Sequence, residues 1–182
     1  MKKQIAVFVV SLYRDIPMAV YESLLSVLCL GVVIIIICHR LSRGKKWIAR
    51  LLLVEYIFLI YCSTVIFRKG DESAGLDLRP FWSYAAIQEG REELLLENIM
   101  NVLVFIPAGL LLGIVLKQMT WWKALLIGFG ISVTIEALQF FFMRGFSEFD
   151  DVMHNVFGCM IGFMIVAIVR WAWLLQRRFW MS

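Results

Sequence analysis

Apolar residues in this chain fall into five long runs, at about residues 18–38, 49–67, 98–116, 124–142 and 152–173. Each is close to the ~20 residues that a helix needs to cross the hydrocarbon of a bilayer. A shorter run, residues 5–13, stops at Arg14, Asp15 and Pro17. It predicts an N-terminal segment, residues 1–17, lying as a short helix at the membrane interface. No small-residue cleavage site follows it, so it does not read as a signal peptide. The rest, residues 18–178, reads as one all-α domain, a polytopic membrane helix bundle of about five spans. Its longest connection is residues 68–97.

Within the spans, polar positions repeat at helical spacing. Ser132, Glu136 and Gln139 are placed i, i+4, i+7, and Asp151, Asn155, Gly158 and Gly162 follow the same rule, so each set shares one helix face. Asn98, Asn101, Ala108 and Gly109 form a third stripe, of amides above small residues, which is what close helix contact in lipid prefers. Gly109/Gly113 and Gly158/Gly162 are small-xxx-small pairs. Pro107 predicts a kink, because it removes a donor from the carbonyl near Leu103.

Composition strengthens the membrane reading. The chain is 62% hydrophobic with a mean hydropathy of +0.82, whereas soluble domains average about 45–50% apolar residues. The formal charge of +4 does not point to nucleic acid, because it is concentrated in short connections. Residues 39–50 hold five Lys/Arg and no acid, whereas residues 68–97 hold four Lys/Arg against seven Asp/Glu. The positive-inside rule then places residues 39–50 and the C-terminus in the cytoplasm and residues 68–97 outside. The chain would be a multi-pass membrane protein in this orientation. Cys29, Cys38, Cys62 and Cys159 lie in or beside apolar runs without ligand spacing and read as buried thiols.

This topology gathers the polar residues at one depth. Asn98, Asn101 and Asn155 start their spans outside, and Glu136 and Gln139 lie three to six residues from the outer end of theirs. At 1.5 Å per residue they fall within about 10 Å of one another in depth, and Glu22 belongs to the same level. Arg144, Glu148, Asp150 and Asp151 occupy the connection beside them. Ionisable groups in hydrocarbon are costly enough to face an interior or a wet cavity, so the expected ligand site is Asn98, Asn101, Glu136, Gln139, Arg144, Asp150, Asp151 and Asn155. Arg79, in the packet Arg79-Pro80-Phe81-Trp82-Ser83-Tyr84, would cover its mouth, unless that packet is an aromatic anchor in the headgroup region. Asp150, Asp151 and His154 offer a thin alternative metal set. Glu55 is the lone acid near the inner end of its span. No cofactor motif is present, and no nucleophile has a base beside it in sequence.

The order Asn98, Asn101, Pro107, Gly109, then Ile135-Glu136-x-x-Gln139, then Arg144, Asp150, Asp151, Asn155 and Gly158 resembles the VanZ-like family of small bacterial membrane proteins. The likeness spans roughly residues 50–170. It implies an envelope protein of the bacterial cytoplasmic membrane, in a family named for association with resistance to the glycopeptide teicoplanin. The expected partner is a membrane lipid or a lipid-linked cell-wall precursor, bound by a protein that is not demonstrably an enzyme. An enzyme acting on a lipid phosphate and a small transporter are the alternatives.

Overall fold

The computed structural model describes residues 46–68, 75–116 and 120–179, with the side chains of Lys46 and Arg177–Phe179 left aside. The expected interfacial helix, the first span with Glu22, Cys29 and Cys38, and most of the basic connection 39–50 lie outside the described residues.

The order of elements is α1 (Lys46–Tyr61, continued by a π-helical turn Cys62–Ile66), β1 (Leu76–Asp77), α2 (Trp82–Gln88), α3 (Glu93–Val115), α4 (Trp121–Phe141), β2 (Ser147–Glu148) and α5 (Phe149–Phe179). Four of the helices are long and apolar enough to cross a membrane, namely Trp47–Ile66, Glu93–Val115, Trp121–Phe141 and Phe149–Gln176. They coincide with the last four predicted spans. Helices α3 and α5 begin earlier than the apolar runs alone indicate, at Glu93 rather than residue 98 and at Phe149 rather than residue 152. Acids fill those added first turns, Glu93 in α3 and Asp150 and Asp151 in α5, where the positive end of the helix dipole favours them.

Helices α3 and α5 make the most extensive contact in the bundle, and glycines allow it. A Cβ on Gly109 would lie 2.0 Å from the Cys159 carbonyl oxygen, one on Gly158 2.1 Å from that of Val102, and one on Gly162 2.0 Å from that of Ile106. The small-residue stripes of both helices therefore meet each other, within one chain. At the far end, Arg170 donates to the Ile114 carbonyl at 3.2 Å, a cation on the negative end of α3. Tyr56, Ile60, Phe105, Leu111, Ile135 and Cys159 form the buried core, and Cys62 and Cys159 are free, buried thiols. Pro107 lies buried within α3, and the Tyr56 hydroxyl donates to the nearby Val104 carbonyl at 2.7 Å. Glu55 and Arg50 are exposed along α1.

The connection 68–97 is more built than a loop. Strand β1 pairs in parallel with β2, Leu76 opposite Ser147 and Asp77 opposite Glu148, a small exception to the all-α plan. This brings helix α2 onto the entrance of α5. The end of α4 is a tight reversal. Met143 takes a left-handed φ of 51° while Arg144 N–H donates to the Gln139 carbonyl and Met143 N–H to that of Phe140. That is the Schellman pattern, with methionine where glycine is usual. It aims the chain back toward α5.

Candidate functional site

The predicted polar residues do converge at one end of the bundle, through hydrogen bonds that link every element there. Ser132, Glu136 and Gln139 are all buried on one face of α4. Asn155 of α5 donates to Ser132 Oγ at 2.9 Å. Glu136 Oε2 accepts the Glu148 backbone N–H at 3.0 Å, and Ser147 lies beside this carboxylate. Gln139 donates its Nε2 to the Thr64 carbonyl at 3.0 Å, in the π-turn of α1.

The two adjacent aspartates part company, because neighbours on a helix point about 100° apart. Asp151 turns to α3, where Asn101 Nδ2 donates to its Oδ1 at 2.7 Å. Asp150 turns to α2 and is 1% exposed. It accepts from the Phe81 N–H at 2.6 Å, the Ser83 N–H at 2.9 Å and the Ser83 hydroxyl at 2.6 Å. These donors open α2, whose own cap position, Phe81, sits at φ 61° with no capping side chain. Asp150 thus caps a helix that is remote in sequence. Asn98 completes this arm by donating to Ser83 Oγ at 3.1 Å. Asp150 and Asn98 thus hold α2 against the bundle.

The aromatic packet joins the same end. Trp82 Nε1 donates to Glu148 Oε2 at 3.0 Å, and the Tyr84 hydroxyl meets His154 Nε2 at 2.8 Å. His154 Nδ1 lies toward the Asp150 carbonyl one turn back, without the geometry of a hydrogen bond. Among the described residues no three His, Cys, Asp or Glu side chains converge as metal ligands. Of the set Asp150, Asp151 and His154, the first and last are engaged by α2 and Asp151 by α3. Arg79 stands apart, paired with Asp77 at 2.5 Å on the surface and 76% exposed. This pairing holds the Asp77 carboxyl down to about 2, chiefly through the Arg79 hydrogen bonds. Arg144 is half-buried and donates to the Arg68 carbonyl.

Arg68 belongs to the same cluster, although helical spacing does not single it out. Its charge acts on Glu97, Glu136 and Asp151. Its guanidinium lies over Gly145, where a Cβ would come within 2.8 Å of Nη2 and where φ is +117°. Only glycine combines that conformation with that approach. The signal available in sequence was the level of Arg68, the same as that of the acids. Exposure is graded across the cluster: Glu97 and Arg68 are exposed, Asn101, Arg144, Glu148 and Asp151 are half-buried, and Glu136 and Gln139 are buried.

Glu148 lies outside the spans, and its carboxyl is pushed up to about 7 from 4.5, first by burial and then by the Asp151 charge. The folded state therefore holds this proton more tightly than the unfolded chain does. Stability from this group is fully present below pH 4.5 and is lost as pH rises through about 7. Thermal unfolding in detergent will show that decline, and Glu148→Gln will flatten it.

Four bilayer-length helices closed at one end by a buried polar network define a polytopic α-helical membrane protein. Residues 27–170 match the VanZ/LLP1 family, and the chain belongs to that family. It is 30% identical over 133 residues to Protein VanZ of Enterococcus faecium, covering 70% of this chain and 74% of that protein. No solved structure matches the chain.

Proposed function

We propose that this is a bacterial envelope protein of the cytoplasmic membrane. Its polar end faces outward and engages the polar head of a lipid or of a lipid-linked cell-wall intermediate. Glycopeptide susceptibility, to teicoplanin above all, would change through access to such lipids. Family membership supports the setting. The basic connection 39–50 supports the orientation. The observation that carries the reading is the graded exposure of the ionisable cluster, from Glu97 and Arg68 at the surface to Glu136 in the interior. Packing alone does not call for several ionisable groups at one depth in a membrane.

The cations assigned to a headgroup phosphate are Arg68 and Arg144, whose guanidinium groups give charge-assisted hydrogen bonds. Arg79 is left out of this role by its pairing with Asp77. Asn101, Glu136, Asp151 and Glu148 shape the remainder.

Binding of anionic envelope lipids to the purified full chain tests the assignment. Arg144→Ala is expected to weaken retention of phosphatidylglycerol about tenfold, the worth of one charge-assisted bond. Retention unchanged for every anionic lipid would remove Arg144 from the site.

A further inference from the structure

The hydrogen-bonding capacity of the polar end is unevenly used. Its amide and indole donors are committed: Asn98 to Ser83, Asn101 to Asp151, Asn155 to Ser132 and Trp82 to Glu148. Against these stand four carboxylates, Glu97, Glu136, Glu148 and Asp151. The last three each accept one of the bonds described, a fraction of what a carboxylate can accept. The four are close enough for the charge of Asp151 to act on Glu136 and Glu148 and that of Glu97 on Asp151. Arg68 offsets only part of that charge.

A separate feature points the same way. Gln139 is 3% exposed, and its Oε1 is buried without a partner. The amide cannot be turned round to relieve this, because its nitrogen is needed on the Thr64 carbonyl. Gln139 lies one turn from Glu136 on the same buried face of α4, so its side chain leaves the helix on the side of that acid. A buried acceptor is costly unless a donor reaches it.

Resting on the reading that this end binds a headgroup, we infer that the part of the headgroup it selects is a primary ammonium, taken by Gln139 Oε1, Glu136 and Asp151 and admitted past Glu97. An ammonium offers three donors, no acceptor and a positive charge, which complements what the cluster lacks. A quaternary ammonium has no N–H to give, and an acylated amine has lost its charge.

The test uses the full chain in mild detergent, exchanged against an equimolar mixture of phosphatidylethanolamine, phosphatidylcholine, N-acetyl phosphatidylethanolamine and phosphatidylglycerol with identical acyl chains. Retained lipid is quantified by mass spectrometry. Ethanolamine lipid is expected to be enriched about tenfold over the choline and N-acetyl lipids. Glu136→Gln and Gln139→Leu are expected to abolish that enrichment. Because buried substitutions can impair folding, the exposed Glu97→Gln provides the parallel variant, expected to reduce the enrichment about threefold while leaving elution unchanged. Equal saturable retention of the ethanolamine, choline and N-acetyl lipids would overturn ammonium selection and leave headgroup binding standing. Absence of saturable retention of any lipid would overturn both. Free ethanolamine displacing the lipid at equal concentration would overturn recognition of an anchored headgroup.

Discussion

Gly158→Ala is expected to abolish the folded state or to cost about 3 kcal/mol or more, the upper end of what overpacking does. The added Cβ would lie 2.1 Å from the Val102 carbonyl oxygen and 2.9 Å from its carbon. These are backbone atoms of α3, so no side chain can rotate away and the two helices must separate. Separation would also move Asp151 away from Asn101. Gly162→Ala and Gly109→Ala meet the same obstacle, at 2.0 Å from the Ile106 and Cys159 oxygens. Gly130→Ala is the internal control: nothing lies within 4 Å of its Cβ position, and alanine is favoured over glycine in a helix by about 1 kcal/mol. Folded yield by size exclusion and thermal unfolding in one detergent will check both directions. Wild-type stability in Gly158→Ala would mean that α3 and α5 do not pack at this distance.

Asp150→Ala is the second large effect. It leaves three donors at the start of α2 without an acceptor, the Phe81 and Ser83 amides and the Ser83 hydroxyl. Removing one partner from a buried, charge-assisted network costs about 3–5 kcal/mol. Part of that is avoided if α2 lifts off into solvent, and Phe81 could then relax from its left-handed conformation. The expected result is therefore local release before global unfolding. Trypsin cleavage after Arg91 will speed up well below the unfolding temperature, while α3 to α5 stay resistant. Asp150→Asn keeps one carbonyl oxygen and should fall between. Simultaneous loss of α2 and of the bundle would show that α2 is no separable unit.

These two residues illustrate what the sequence could disclose. The glycine stripes and the face Ser132, Glu136, Gln139 follow from helical periodicity alone, and the structure buries them as spaced. The fate of Asp150 did not follow, since its donors are 67 and 69 positions away. Side by side in sequence, Asp150 and Asp151 read as one pair of ligands. The 100° between them sends one to α2 and the other to α3. Arg68 was hidden for the same reason: its closeness to Gly145 and to the acids of three helices exists only after the bundle closes. Helix α2 was obscured because its cap comes from α5 instead of from its own neighbourhood.

In the proposed function the charges at the polar end serve binding and not merely packing. The most direct measurement is folded yield together with teicoplanin susceptibility of a host expressing Asp151→Asn or Glu136→Gln beside the wild-type chain. Both substitutions preserve volume and most hydrogen bonding while removing charge. Near-normal yield with loss of the protection proposed for the wild-type chain is the expected result. Normal yield with protection undiminished in both variants would contradict it.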